Sequence, residues 1–267
     1  MHGRTDELSL SSINSLPLEL KQKLIQLAQK YESAEFLEKD PSKFMHRYTR
    51  LPEVETVSFI AANLAFGRRE QILLHVEKIL EAAGTSPSEW IFLKKYESFF
   101  PDNEKSFYRM YTNRDMRIFF NSLRLILEEA GTPGEFFRQK WNEALTQALN
   151  EEQKVYLHQV IASVFPKECK LLPHSETSAA KKLNMLLRWL VRDNSPVDLG
   201  IWSWYDKKSL LMPLDTHVMQ QANELKLISS KSANLNTAFE LTKKAAEVFP
   251  GDPVKLDFAL FGLGVNS

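Results

Sequence analysis

Three short stretches of the chain combine residue types and spacings that suit chemistry at a sugar carbon. The first is Pro213-Leu214-Asp215-Thr216-His217-Val218, an acid at the start of a predicted helix. Aspartate is a favoured N-cap because its carboxylate accepts orphan N–H groups of the first turn. The positive end of the helix dipole holds that carboxylate ionised. A fixed anion stabilises positive charge as it develops on a sugar, yet a plain cap accounts for Asp215 equally well. The second stretch is Lys181-Lys182, in the first turn of a predicted helix that opens at Ser178. A helix N-terminus disfavours positive charge and so lowers an amine's pKa. Such an amine is a nucleophile that can form a Schiff base. The plain reading is a solvated lysine pair with Ser178 as the cap. The third is Asp257 and Phe261, at i and i+4 on one face of an otherwise apolar helix. A buried carboxylate is costly without donors. Beside an aromatic it suits a planar ligand with N–H groups; a salt bridge to an arginine from another helix serves as well.

The elements that must position these residues read as helical almost throughout. Apolar spacing predicts helices over 18–31, 53–66, 69–83, 114–130, 133–150 and on to 165, then 178–192, 215–225, 234–248 and 252–262. Gly67, Gly84 and Gly131 mark stops, and Pro133 suits a first helical turn. No stretch alternates with period two for long enough to predict a sheet. The expectation is an all-α, two-lobed chain. Residues 51–196 form one lobe, and 1–50 with 197–267 form the other, which carries Asp215 and the 252–262 helix.

Composition narrows the function classes. The chain has 267 residues, 43% of them hydrophobic and 25% charged, as expected of a folded protein rather than a disordered one. Thirty-four basic residues balance thirty-four acidic ones, so a polyanion partner would need a local basic face. Candidates for that face are Lys170, Lys181, Lys182, Arg188 and Arg192, with Arg68 and Arg69 elsewhere. The single cysteine, Cys169, excludes a disulfide within the chain and any all-cysteine metal site. The six histidines form no H-E-x-x-H pair, and the nine glycines form no phosphate-binding loop or nucleophile elbow. Neither a metal nor another cofactor is expected. No apolar run approaches a membrane span, and residues 1–7 have no signal-peptide core, so the cytoplasm is the expected location.

Asp-Thr-His-Val at 215–218, downstream of a helix that opens with lysines, resembles the helix–hairpin–helix DNA glycosylase superfamily. Ser58-Phe59-Ile60-Ala61-Ala62-Asn63 resembles the start of the helical barrel in 8-oxoguanine DNA glycosylases. Asp257-Phe258-Ala259-Leu260-Phe261 is similar to their last recognition helix. A longer set of motifs is similar to a bacterial family related to the archaeal 8-oxoguanine branch. It comprises residues 178–189, Val197-Asp198-Leu199-Gly200-Ile201-Trp202, 213–217, and Asp252-Pro253-Val254-Lys255 with 258–264. One departure concerns the hairpin. The superfamily usually has glycines that let backbone N–H groups approach a DNA phosphate, whereas 172–177 reads Leu-Pro-His-Ser-Glu-Thr.

The resemblance implies a DNA glycosylase for an oxidised purine such as 8-oxoguanine, with possible Schiff-base lyase activity. Its partner would be duplex DNA bearing a damaged base, bound by a monomer and associated with the nucleoid. It assigns Asp215 to electrostatic catalysis and Lys181, with Lys182 as the rival, to the nucleophile. Asp257, Phe261 and Trp202 would hold the extruded base, and Ser178, His217 and Arg188 would meet DNA phosphate. Adjacent helical side chains diverge by about 100°, so only one lysine is expected to enter the site. The competing expectation is an inactive protein that binds nucleic acid or a nucleoside on the same scaffold.

Overall fold

The computed structural model describes residues 15–151 and 154–266. Residues 1–7, on which the expectation of no signal-peptide core rests, lie outside them. Twelve α-helices run through the described residues. They are α1 (Leu18–Tyr31), α2 (Leu51–Leu64), α3 (Arg69–Ala83), α4 (Pro87–Phe92), α5 (Tyr96–Phe99), α6 (Asn113–Ala130), α7 (Pro133–Glu151), α8 (Leu157–Val164), α9 (Lys181–Val191), α10 (Thr216–Glu224), α11 (Leu235–Ala246) and α12 (Leu256–Asn266). Short 3-10 turns span Ala34–Lys39 and Pro41–Arg47. Among the described residues the fold is all-α apart from one antiparallel ribbon, β1 (Ser106–Tyr108) and β2 (Tyr111–Thr112), paired Ser106 to Thr112 and Tyr108 to Tyr111. That ribbon departs from the expectation of no sheet. Its strands are too short to alternate visibly, and Arg109 turns the chain between them at φ 53°.

The helices form where local chemistry favours them. Thr112 and Asp115 make a reciprocal capping box that opens α6: Thr112 accepts from the Asp115 N–H, and Asp115 accepts from the Thr112 N–H at 2.8 Å. Gly84 (φ 69°) closes α3 in a conformation that costs a residue with a Cβ. α2 is buried on every side from Glu53 to Leu64, which makes it the central post of the larger core. Each large apolar side chain buried there stabilises the fold by roughly 1.5–3 kcal/mol.

The buried apolar side chains fall into two clusters. The larger runs from Phe44 through α2–α9 to Trp202, Tyr205 and Leu210, with Val254. The smaller joins Leu24 and Ala28 of α1 to Ala179, Met212, Leu214 and the inner faces of α10, α11 and α12. Cluster membership does not follow the expected division at 50 and 196. Phe44 and Met45 pack under α2, and the connector up to Leu210 folds back onto α9 through Leu199 N–H to Trp189 O and Trp202 N–H to Leu190 O, both at 2.7 Å. α12 runs between α1 and α10, and two glycines permit its close approach. A Cβ at Gly262 would lie 2.2 Å from the Tyr31 ring, and one at Gly264 would lie 2.7 Å from the His217 Cβ.

Candidate functional site

An open cleft of about 1180 Å³ lies where the two clusters meet, between the N-terminal end of α3, the 3-10 turns, the start of α9, the α10 cap and α12. Lys181, Asp215, His217, Asp257, Phe261 and Arg188 all line it. Six residues expected from the sequence to act together, drawn from three distant parts of the chain, therefore share one cavity.

Asp215 holds the N-cap position of α10. Its Oδ1 accepts from the Val218 N–H at 2.8 Å, and its backbone is extended (φ −100°, ψ −179°). The cap fixes the carboxylate at the cleft wall, half-buried. His217, two residues further on, sets its ring edge-on to Phe261 at 5.9 Å.

The two lysines separate. Lys181 is the first residue of α9 and lines the cleft, where its Nζ donates to the Ala65 carbonyl at 3.2 Å. Lys182 turns away into the larger core. Its ammonium donates to the Asn63 carbonyl at 3.1 Å, to the Tyr111 hydroxyl at 3.0 Å and to the Leu171 carbonyl, and it lies over the Tyr111 ring. Burial lowers the Lys182 amine to about 7, and the Lys181 charge pushes the same way. The depressed amine is thus the one that points into the core rather than the cleft, and desolvation, not the helix terminus, is its main cause. The turn before Lys181 is held by Asn184, whose side chain donates to Ala179 O at 2.8 Å. Ala180 there adopts left-handed φ and ψ of 44°, a conformation that costs an L-residue about 1–2 kcal/mol.

Three expected ligand contacts are placed otherwise. Trp202 is 1% exposed and does not line the cleft; its indole donates to Glu55 Oε1 at 2.8 Å and stacks on Trp204 at 5.2 Å. Glu55 also accepts from the Gly134 N–H at 2.7 Å, so Trp202 serves to join α2 to α7. Ser178 spends its hydroxyl on the Ala180 N–H at 3.1 Å and also stays out of the cleft. Arg188 reaches the cleft floor, but not as an open phosphate contact. It is 3% exposed, pairs with Asp198 at 3.3 Å and with Asp257, and covers the Phe258 ring at 4.4 Å. Of the other basic candidates, Lys170 pairs with Asp115 at 3.1 Å and Arg192 is buried among acids.

Asp257 therefore presents a carboxylate already engaged through Oδ2 by Arg188. Burial pushes this carboxyl up to about 6; Arg188 opposes that and Asp215 adds to it. Six basic side chains and four acidic ones line the cleft. Arg188 and Asp257 offset one another, which leaves Asp40, Glu70 and Asp215 against five basic side chains. The walls are left basic, with Lys39, Arg68, Arg69, Lys181 and Lys231. Of these, Lys39 and Lys231 escaped the sequence reading, as did Phe36, which meets Phe261 edge-on at 5.8 Å. Isolated lysines in polar turns carry no pattern that would distinguish them. Among the described residues no group of three His, Cys, Asp or Glu side chains could hold a metal ion, and no helix is long and apolar enough to cross a membrane.

Fold and cleft together define a mostly helical protein with an open, basic cavity that holds a capped acid, an amine and an aromatic ring. A family model described as a protein of unknown function (DUF2400) matches residues 40–266, and the chain belongs to that family. No curated protein and no solved structure compared with it matches.

Proposed function

We propose that the chain is a DNA glycosylase acting on an oxidised purine such as 8-oxoguanine, on a helix–hairpin–helix glycosylase scaffold. The observation that carries this reading is that Lys181 and the capped carboxylate of Asp215 line one open cleft with Phe261. A target nucleotide flipped from the duplex would enter this cleft, where the basic wall meets its flanking phosphates. Phe261 offers a stacking face. With Oδ2 of Asp257 taken by Arg188, Oδ1 remains to accept from the N1–H or exocyclic amine of a guanine-type base. As the bond from C1′ to the base breaks, the base leaves with the electron pair and Asp215 stabilises positive charge on the sugar. Lys181 gives one proton to the departing base and forms the new bond to C1′; the C1′–O4′ bond then breaks as a second proton passes from the nitrogen to O4′, which leaves the Schiff base.

Borohydride trapping on duplex DNA containing 8-oxoguanine tests the amine, with a lesion panel run alongside. The intact protein should yield a covalent adduct, Lys181→Ala none, and Lys182→Ala one wherever it still folds. Release of no base from any lesion in the panel would overturn the enzyme reading. The engagement of Asp257 by Arg188 favours a second reading, an inactive binder of nucleic acid or nucleosides; it predicts saturable lesion binding without base release.

A further inference from the structure

The floor of the cleft is a buried ion pair with hydrogen-bonding capacity left over. Arg188 donates from Nε to Asp198 Oδ1 at 3.3 Å and from Nη1 to Asp257 Oδ2. Among the described residues its Nη2 makes no hydrogen bond, and Asp257 Oδ1 accepts none. Neither atom is sealed off, unlike the Trp189 indole nitrogen, which is buried without a partner. Both side chains are more than nine-tenths buried, and both border the cleft. A ligand on the floor therefore meets an open donor beside an open acceptor. Asp40, also at the cleft, spends Oδ1 on the Ser42 N–H and hydroxyl and keeps Oδ2. The surrounding charges decide what can bind. Asp198, Asp257 and Asp40 all act on the Arg188 charge, Asp215 acts on Asp257, and Arg192 is spent on Glu32, Asp198 and Asp252. An anion at Nη2 would meet that excess of carboxylates. A neutral ring with a carbonyl beside an N–H would not: its oxygen takes Nη2 and its N–H goes to Oδ1. Guanine presents this order, with O6 as acceptor and donors at N1 and the exocyclic amine. Adenine reverses it. With the sugar held at Asp215, the adenine amine would face the guanidinium and the N1 lone pair would face the carboxylate.

We propose that Arg188 is a specificity-determining residue of the cleft, donating from Nη2 to the ring carbonyl of a guanine-type base while Asp257 Oδ1 accepts from the neighbouring ring N–H. The proposal rests on the glycosylase reading for placing a purine here, and it names the edge that is read. Equilibrium binding to the full chain tests it, with 8-oxo-2′-deoxyguanosine carrying carbon-13 at C6 and 8-oxo-2′-deoxyadenosine, which has the same oxidation and the reversed edge. Binding is measured at about pH 8, where the Asp257 carboxyl, raised by burial to about 6, is ionised. The guanosine should bind roughly tenfold or more tightly, as expected of a hydrogen bond to a charged group. Its C6 resonance should move downfield as the guanidinium polarises the carbonyl. Arg188→Lys keeps a cation between Asp198 and Asp257 but removes Nη2; the preference should fall to about threefold or less, and the downfield shift should vanish. In Asp257→Asn, Arg188 Nη1 draws the amide oxygen, so the amide N–H groups face the ligand and the preference should turn toward the adenosine. Equal wild-type affinity for the two, no binding of either at millimolar concentration, an unmoved C6 resonance, or a guanosine preference that survives in either variant would overturn the proposal. The wild-type measurements decide it even where a variant fails to fold. Base release from lesion DNA separates this failure from that of the glycosylase reading. Release by wild type can persist when the edge is read otherwise; when the glycosylase reading fails, release is absent whatever the binding preference.

Discussion

Asp215 illustrates how one side chain serves structure and a proposed chemistry through the same geometry. The hydrogen bond from Val218 N–H caps α10 and fixes the carboxylate at the cleft wall. The two roles separate under substitution. Asparagine caps about as well as aspartate but carries no charge, whereas alanine loses the cap at a cost of about 1 kcal/mol. Asp215→Asn should therefore retain the wild-type unfolding midpoint in urea and lose base release on lesion DNA. Asp215→Ala should lose both. Full turnover by the asparagine variant would remove Asp215 from the mechanism. That Asp215 is a cap was legible in the sequence, because acid type and the start of the apolar period coincide there. Which of Lys181 and Lys182 faces the cleft was not. The choice depends on what α2 and β2 present to each: Asn63 O and Tyr111 OH draw Lys182 inward, and neither contact leaves a trace at neighbouring positions.

The elements themselves were largely readable. Helical periodicity runs long in α1, α3, α6 and α9, and Gly84 and Gly131 close two of them. The ribbon and the 3-10 turns at Ala34–Lys39 and Pro41–Arg47 fall below the length at which any period shows. Lys182 ties several of these pieces together, linking α2, β2 and the segment before α9, and its titration offers a measure of that bond. Cys169 and Tyr111 lie against it, with their acid groups pushed up by burial to about 11 and about 12, so both stay neutral while the amine titrates near 7. Lys181 faces it with a like charge. The folded-state value of Lys182 is depressed below its ordinary 10.5. Between these values the unfolded chain binds more protons, so stability rises with pH. Its contribution is full above 10.5, falls as pH drops toward 7, and is flat below. Urea unfolding between pH 7 and 9 should show stability rising with pH in the wild type and a flatter profile in Lys182→Met, which keeps the stem without the charge. An unchanged slope in the variant would mean that another group titrates.

At the scale of the molecule, the cleft depends on a buried network of charges that no count of residues reveals. Equal totals of acids and bases conceal a basic wall assembled from stretches as far apart as Lys39 and Lys231. The network beneath it centres on Arg192, which meets Glu32 at 2.9 Å, Asp252 at 2.7 Å and Asp198, while Lys255 meets Glu32 at 3.1 Å. Burial disfavours charge on Glu32, but Arg192, Ser195 and Lys255 outweigh it and hold the carboxyl below its ordinary value. Glu32 follows the last turn of α1 and precedes the Ala34–Lys39 turn, which brings Phe36 and Lys39 to the cleft. Arg192 thus ties the cleft's outer wall to α9, which carries Lys181, and to the start of the α12 segment. Replacing it with methionine preserves much of the apolar stem but takes one cation from Glu32 and from buried Asp198, which keep only Lys255 and Arg188, and removes the partner of half-buried Asp252. Breaking a buried pair in this way costs about 3–5 kcal/mol. Arg192→Met should lower unfolding free energy by about that amount, and amide hydrogen exchange over 33–40 should accelerate more than exchange in α2. Because these pairs are shielded from solvent ions, the loss should persist in high salt, where an exposed pair's contribution fades. If salt erased the difference between wild type and variant, or if exchange over 33–40 were unaltered, the network would not be what holds that wall against α9.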